Sequence, residues 1–570
     1  MNRKQATVLA LLSIAVFLFA FLISGRLWFR ADMTRGSIFT LSEVSRGLHR
    51  EISEQLTITY FVSDRLALAH PMPSAVAGLL REYAAHSRGR IRTIQRDPQR
   101  SGIARSVEDL GILPWQIPTI ENNQQTMATV YSGILIEYLD RAAVIPLVVS
   151  PDTLEYALTS RIRALVRTTP RELGVIVADA ANQWHEDFRR LNSALFLAGF
   201  NVVLIHPGEA IPDTLPAVFV LGGAEDLSEF HLYFIDRYIS GGGSALFAVD
   251  GVFVDSKRSL DARAANDGGL LTLLANYGVL VSGALALDDA ALTLTFQAPN
   301  ALPGAAGGGG MHVRSVRYPH WIAVREQGGN FRHRLTANFG GLDLYWASPL
   351  ELVPPQGVDA DVLFTSTAAA WLQRDTFTTD PGSASFFYDE ANQVRGTKLL
   401  GVALSGIFPS AFEGLIDERE REDEREHPLF PHEQYRPSRI IVIGDTDFAS
   451  DIMEVGQSEA RNLDFLIRAA DWLSGNDDLL DIRSRESAGR LDRITDPEQK
   501  RAAMALSLIA NTVLVPLGVT LAGIILVRRR TTRLRRAGAL SLSDGDRDGT
   551  SDRTRTGAKK RRREKGKTDV

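Results

Sequence analysis

At 570 residues the chain exceeds a single hydrophobic core, which stops growing at roughly 250 to 300 residues, so at least two folded domains are expected. Its 45% hydrophobic and 23% charged residues, with all aromatic types present, exclude a mostly disordered protein. The lack of cysteine excludes disulfides, thiolate metal sites, thiol redox chemistry and a cysteine nucleophile. The net charge of −5 is uneven: from Arg528 to Val570 there are 16 Lys or Arg against 6 Asp or Glu, a net of +10 that leaves −15 on residues 1–527.

Residues 1–29 are read as a cytoplasmic N-terminus and a first transmembrane helix. Ala6 to Gly25 carries no charge, and about twenty apolar residues rising 1.5 Å each cross a hydrocarbon core about 30 Å thick. A cleaved signal peptide would have a shorter apolar region ending in a small-x-small site, whereas Arg26, Leu27, Trp28 and Phe29 follow here. Residues 30–170 read as a small α/β domain. Thr40 and Glu43 form a capping-box pattern opening a helix through about Glu51. A strand at 55–62 follows, then a helix with Val76, Leu79, Leu80 and Tyr83 on one face, a strand at 91–95, a hairpin turning at Asp140 and Arg141, and a helix from Leu154 to Val166. That order matches a thioredoxin-like topology, used as a scaffold because no redox pair is present.

From 171 to 485 the pattern changes to short, fully apolar strands at 173–179, 200–206, 217–223, 244–250 and 439–445. Such runs suit strands buried on both faces of a parallel sheet. Helical segments at about 185–199 and 228–240 supply crossovers, so a doubly wound parallel-sheet domain is expected, interrupted by a long excursion over 252–438. Within it, the glycine-rich 303–310 reads as a flexible loop and the acidic run 417–426 as a solvated helix or loop. Residues 486–501 form a linker, 502–527 a second transmembrane helix containing Asn511 and Pro516, and 528–570 a basic disordered tail. Arg528, Arg529, Arg530, Arg533, Arg535 and Arg536 crowd one side of the second span. The positive-inside rule therefore places both termini in the cytoplasm and the body outside it, in a two-pass protein of the inner (cytoplasmic) membrane. The tail lacks aromatics and a folded module, which favours an anionic lipid surface, at about 1 kcal/mol per basic residue, over specific nucleic acid.

Chemical motifs are sparse. A P-loop needs GxxxxGK followed by Ser or Thr, and the Gly-Lys-Thr at 566–568 lacks the upstream glycine. No HExxH occurs, and His427 and His432 lie in a Pro-rich loop, so no cofactor or metal is expected. Ligand candidates sit beyond strand ends, where open α/β sheets bind ligands: Asp179 with Trp184 and His185, Gly222 with Gly223, and Asp445 with Asp447. Each has a plainer reading. The glycines, with Gly241 to Gly243, suit tight strand exits, and the aspartates suit caps of the following helix.

The residues DMTRGSIFTLSEVSRGLHREISEQLTITYFVSD (32–64), YSGILIEYLDRAAVIPLV (131–148), TLEYALTSRIRALVR (153–167) and RIIVIGDTDFASD (439–451) with NLDFLIRAADWLSGNDDLLDIRSR (462–485) resemble the GldG-like family. Its members are auxiliary components of gliding-motility-type ABC transporters. The resemblance implies a soluble core of class I glutamine amidotransferase-like fold. Enzymes of that fold use a cysteine that this chain lacks. It also implies a non-enzymatic subunit working with an ABC permease and a separate ATP-binding subunit. The alternatives are a structural envelope or motility protein, and a membrane-anchored hydrolase.

Overall fold

Apolar strands without polar alternation need cover on both faces, and the large domain supplies it. In the computed structural model, the described residues run from Thr40 to Ala488, less short breaks and the segments 179–182, 300–310, 383–393 and 413–434, with Gly523 beyond. The apolar runs 6–25 and, Gly523 apart, 502–527, the glycine-rich and acidic segments, His427, His432 and the basic tail lie outside the described residues. No helix among the described residues is long and apolar enough to cross a membrane.

The large sheet runs in the order Val279–Val281, Leu350–Leu352, Leu399–Ile407, Pro437–Ile443, Ser244–Ala248, Ala217–Leu221, Glu172–Val177, Asn201–Leu204, with Val358–Thr365 also paired to Leu399–Ile407. The five strands from Pro437–Ile443 to Asn201–Leu204 are mutually parallel. Phe219, Leu221, Leu246, Ala248, Ile441 and Ile443 point to one face, into a core shared with the helices Arg189–Leu197 and Glu459–Leu473. Val218, Val220, Ala245, Phe247, Ile440 and Val442 point to the other, toward Glu229–Ser240 and Leu270–Asn276. The excursion corrects the expectation of a wholly parallel sheet. Its strands Val279–Val281, Leu350–Leu352, Val358–Thr365 and Leu399–Ile407 extend the same sheet antiparallel. An antiparallel margin on a parallel sheet is common, and two of these strands are three residues long, too short for a periodic signal.

The region read from the sequence as a small domain has a sheet of its own, in the order Ile91–Arg96, Leu56–Val62, Ser132–Tyr138, Arg141–Ile145, the first pair parallel and the others antiparallel. It is part of the same compact unit as the large sheet. The helices Met72–His86 and Leu154–Arg167 pack on it through Val76, Leu80, Tyr83, Leu158 and Ile162. The first helix is shorter than expected. Ser42, not Thr40, caps it by accepting from Ser45 N at 3.1 Å, and after Glu43–Gly47 the chain tightens into a 3₁₀ turn, Leu48–Arg50. A hairpin of Trp115–Glu121 and Gln124–Val130 is additional to the elements read from the sequence.

Buried polar contacts join the small domain to the last helices. Tyr156 OH donates to Asp471 Oδ2 at 2.6 Å, Arg171 pairs with Asp471, and the Arg483 guanidinium lies 4.1 Å from the Tyr156 ring centre. The Leu154–Arg167 helix also receives both extremities of the described body. Glu155 Oε1 accepts from Ser42 N at 2.7 Å, while Arg163 pairs with Glu51 at 3.0 Å and with Asp478, at the start of Asp477–Ala488.

Candidate functional site

Two parallel neighbours, Ser244–Ala248 and Pro437–Ile443, end in Asp250 and Asp445. Asp445 is fully buried. Its Oδ2 accepts from Tyr345 N at 2.5 Å and its Oδ1 from Phe448 N at 3.2 Å. The second contact reaches inside the 3₁₀ turn Asp447–Ala449, whose N-cap is Thr446 and has no side-chain cap of its own. Burial foremost, and then Asp250 and Asp447, push the Asp445 carboxyl well above its ordinary range. Asp250 is engaged as well, since its Oδ1 accepts from Thr446 N at 2.8 Å.

The crevice beyond these strand ends is filled by the chain itself. Ser348 N donates to Gly444 O at 2.6 Å, and Gly251 N donates to Ser348 Oγ at 2.9 Å. Only glycine permits such an approach: a Cβ on Gly444 would stand 1.9 Å from Ser348 O, and one on Gly251 2.0 Å from Ser282 O. The remaining cleft, bordered by Asp250, Phe253, Lys257, Trp346, Thr446 and Asp447, holds ≈ 40 Å³. That is room for a few waters, whereas ligand pockets run to roughly 300 to 1,000 Å³.

The other sequence candidates do not converge on it as a reactive set. Trp184 is buried against Phe188, ring centres 6.0 Å apart, and belongs to the core; His185 beside it is exposed; Asp179 lies outside the described residues. Gly222 and Gly223 take φ of 78° and 99°. Gly222 N donates to Ala248 O at 2.8 Å, so it continues the ladder rather than presenting a free donor, and Gly243 N closes the preceding helix on Tyr238 O at 2.9 Å. Sequence reasoning missed Asp250, although it carries the same signal as Asp179 and Asp445, an aspartate just past an apolar strand. Among the described residues no group of His, Asp or Glu has a geometry suited to a metal ion.

A second, wider cleft of ≈ 300 Å³ opens at the amino end of Pro437–Ile443, around Arg439, His333 and Trp472. None of the sequence candidates lies in it.

Comparison with known proteins identifies the class. The model of a family described as an ABC-type uncharacterized transport system matches residues 171–469, more than half of the chain, and the chain belongs to that family. It is an auxiliary protein of ABC transport, associated with an ABC transporter, and the GldG-like resemblance fits this assignment. A domain of unknown function (DUF7088) matches residues 35–137. An uncharacterized protein of Borreliella burgdorferi is 24% identical over 547 residues, covering 94% of this chain and 100% of that one. Two solved structures are similar at 11% identity. The mmIFT52 N-terminal domain covers 53% of this chain and 96% of its own at a TM-score of 0.30. A putative ThuA-like protein from Parabacteroides merdae covers 54% and 91% at 0.27.

Proposed function

We propose that the chain is a non-enzymatic, membrane-anchored subunit of a gliding-motility-type ABC transporter, whose extracytoplasmic body binds or gates while a permease and a separate ATP-binding subunit do the transport. The observation that carries this reading is the filled crevice. Where α/β folds of this kind hold substrate, residues 345–348 lie across the strand ends, and the buried Asp445 is spent on Tyr345 N and Phe448 N. A class I glutamine amidotransferase-like frame without the nucleophile or the space fits a scaffold. The small domain's strand order, a parallel pair followed by an antiparallel hairpin, supports a thioredoxin-like scaffold in the same role. Two apolar runs are too few to line a path for polar solutes, because backbone in a bilayer must stay hydrogen-bonded, so a permease supplies it.

Tagging the full chain, extracting it in mild detergent and identifying its companions tests the assembly. A multispan permease and an ATP-binding protein are expected. Recovery of the chain alone, under conditions that keep other ABC complexes intact, overturns a permanent subunit role. Orientation is separable from assembly. In this cysteine-free chain, a membrane-impermeant thiol reagent applied to intact cells is expected to label a cysteine placed at 380 and not one at 555, and the reverse pattern inverts the topology.

A further inference from the structure

The amino-edge cleft lies at the opposite end of Pro437–Ile443 from Asp445, six residues or about 20 Å along the strand. Its back wall is already paired. Arg439 forks Asp477, Nη1 to Oδ1 at 2.7 Å and Nη2 to Oδ2 at 3.0 Å, donates to Trp472 O at 2.7 Å, and lies 5.0 Å from the centre of the Trp472 ring. Both Asp477 oxygens are thereby occupied.

The front wall is the turn at 332–334. Leu335 N donates to His333 Nδ1 at 3.3 Å, which fixes that nitrogen as an acceptor and makes Nε2 the ring's donor. The His333 ring meets Trp472 edge-on at 5.2 Å. Burial foremost holds His333 below its ordinary value, with Asp361 and Asp477 pulling the other way and Arg439 reinforcing the fall. Arg332 and Arg334 flank it, both exposed. Arg334 stands 3.8 Å from the Asp477 carboxylate that Arg439 already holds, and among the described residues Arg332 makes no ion pair. Ser405, directly across the ladder from Arg439, borders the floor, and the exposed Asp361 borders the rim.

The donors outnumber the acceptors left to meet them. Two guanidinium groups, an imidazole N–H and a hydroxyl face one cleft of ≈ 300 Å³, with Asp361 as the remaining carboxylate. A carboxylate offers about four lone-pair sites, all in one plane, which two guanidinium forks alone would fill. A phosphate ester, monoester or diester, carries four oxygens in a tetrahedron, so donors from several directions reach it, and arginine forks suit its charged oxygens. Asp361 disfavours a bare, highly charged anion and matches a ligand carrying a hydroxyl beside its phosphate. We propose that this cleft binds a phosphate ester of a polyol, its phosphoryl oxygens on Arg332, His333 and Arg334 and a hydroxyl on Asp361. The ester is either free in solution or the headgroup of an anionic phospholipid.

The test is titration calorimetry on the full chain in neutral detergent. One arm uses glycerol phosphate, the other short-chain phosphatidylglycerol presented in the micelle. Saturable binding of glycerol phosphate identifies a free ligand, and binding of the micellar lipid alone identifies a headgroup; both support the site. In either case Arg332→Ala with Arg334→Ala is expected to weaken binding at least tenfold, whereas Arg100→Ala, an exposed arginine of the small domain, leaves it unchanged. The two substituted side chains are exposed, so the melting temperature of the double variant serves as the folding control. No saturable binding in either arm, or binding that the double variant retains, overturns the proposal.

Discussion

At the carboxyl edge of the large sheet, Gly251 and Gly444 let neighbouring backbone lie within hydrogen-bond reach of the strand ends, and ≈ 40 Å³ remains. At the amino edge of the same strand, charged side chains brace one another and the turn at 332–334 stands off, leaving ≈ 300 Å³. The first edge is closed by backbone, whose position cannot adjust without moving a strand. The second is framed by side chains, which can reorient around an occupant. The edge that fold analogy nominates for chemistry is thus the structural one here.

Breaking the closed edge should have the largest effect. Gly444→Ala drives a Cβ to within 1.9 Å of a backbone carbonyl, an overpacking with no flexible neighbour to yield, and is expected to cost about 3 kcal/mol or more. Thermal denaturation reads it, and a melting temperature equal to wild type would show that the edge is looser than described.

A smaller, pH-dependent effect belongs to Asp445. Its folded-state pKa is raised by burial, while the unfolded carboxyl titrates near 3.9. Its contribution is therefore fully present below about pH 4 and is lost as pH rises through the folded value, at up to about 1.4 kcal/mol per pH unit. Asp445→Asn keeps the shape and removes the titration. The difference in urea-unfolding free energy between wild type and variant should shift in the variant's favour as pH rises from about 4 to 8. A difference independent of pH would mean that Asp445 is ionised in the folded protein.

At the open edge, Arg439→Ala should cost about 1 kcal/mol, since the forked pair is one-third exposed and screened. Arg332→Ala should stay within about 0.5 kcal/mol. An Arg332 effect as large as that of Gly444→Ala would erase the contrast between the edges.

The five parallel strands were legible because fully apolar, β-branched runs have few other readings, and the crossover helices followed from the lengths between them. The hairpin at 115–130 was not. Gln116, Gln124, Gln125 and Thr126 dilute its alternation, and its pairing is local to a turn that carries no glycine. The antiparallel margin escaped because Leu350–Leu352 and Val279–Val281 gain their place from partners some 70 residues away. At the site, the position of Asp445 was legible and its role was not, since Tyr345 lies 100 residues earlier. The amino-edge cleft left only the run Arg332-His333-Arg334 as a trace, and what gives it meaning, Arg439 over Trp472, comes from elements more than 100 residues downstream.

The Leu154–Arg167 helix gathers the first and last described segments, through Glu155 to Ser42 and through Arg163 to Glu51 and Asp478. A pull applied between the two extremities of the body would meet this junction before it reached the strands. The load would be shared between these side chains and the apolar anchors of the two segments, Leu48 and Ile52 in the core of the smaller sheet and Leu479, Leu480 and Ile482 in the core of the large one. Arg163, paired with Glu51 and Asp478, ties the two extremities to each other through a single side chain, so its removal would leave each segment held by its own apolar anchors alone.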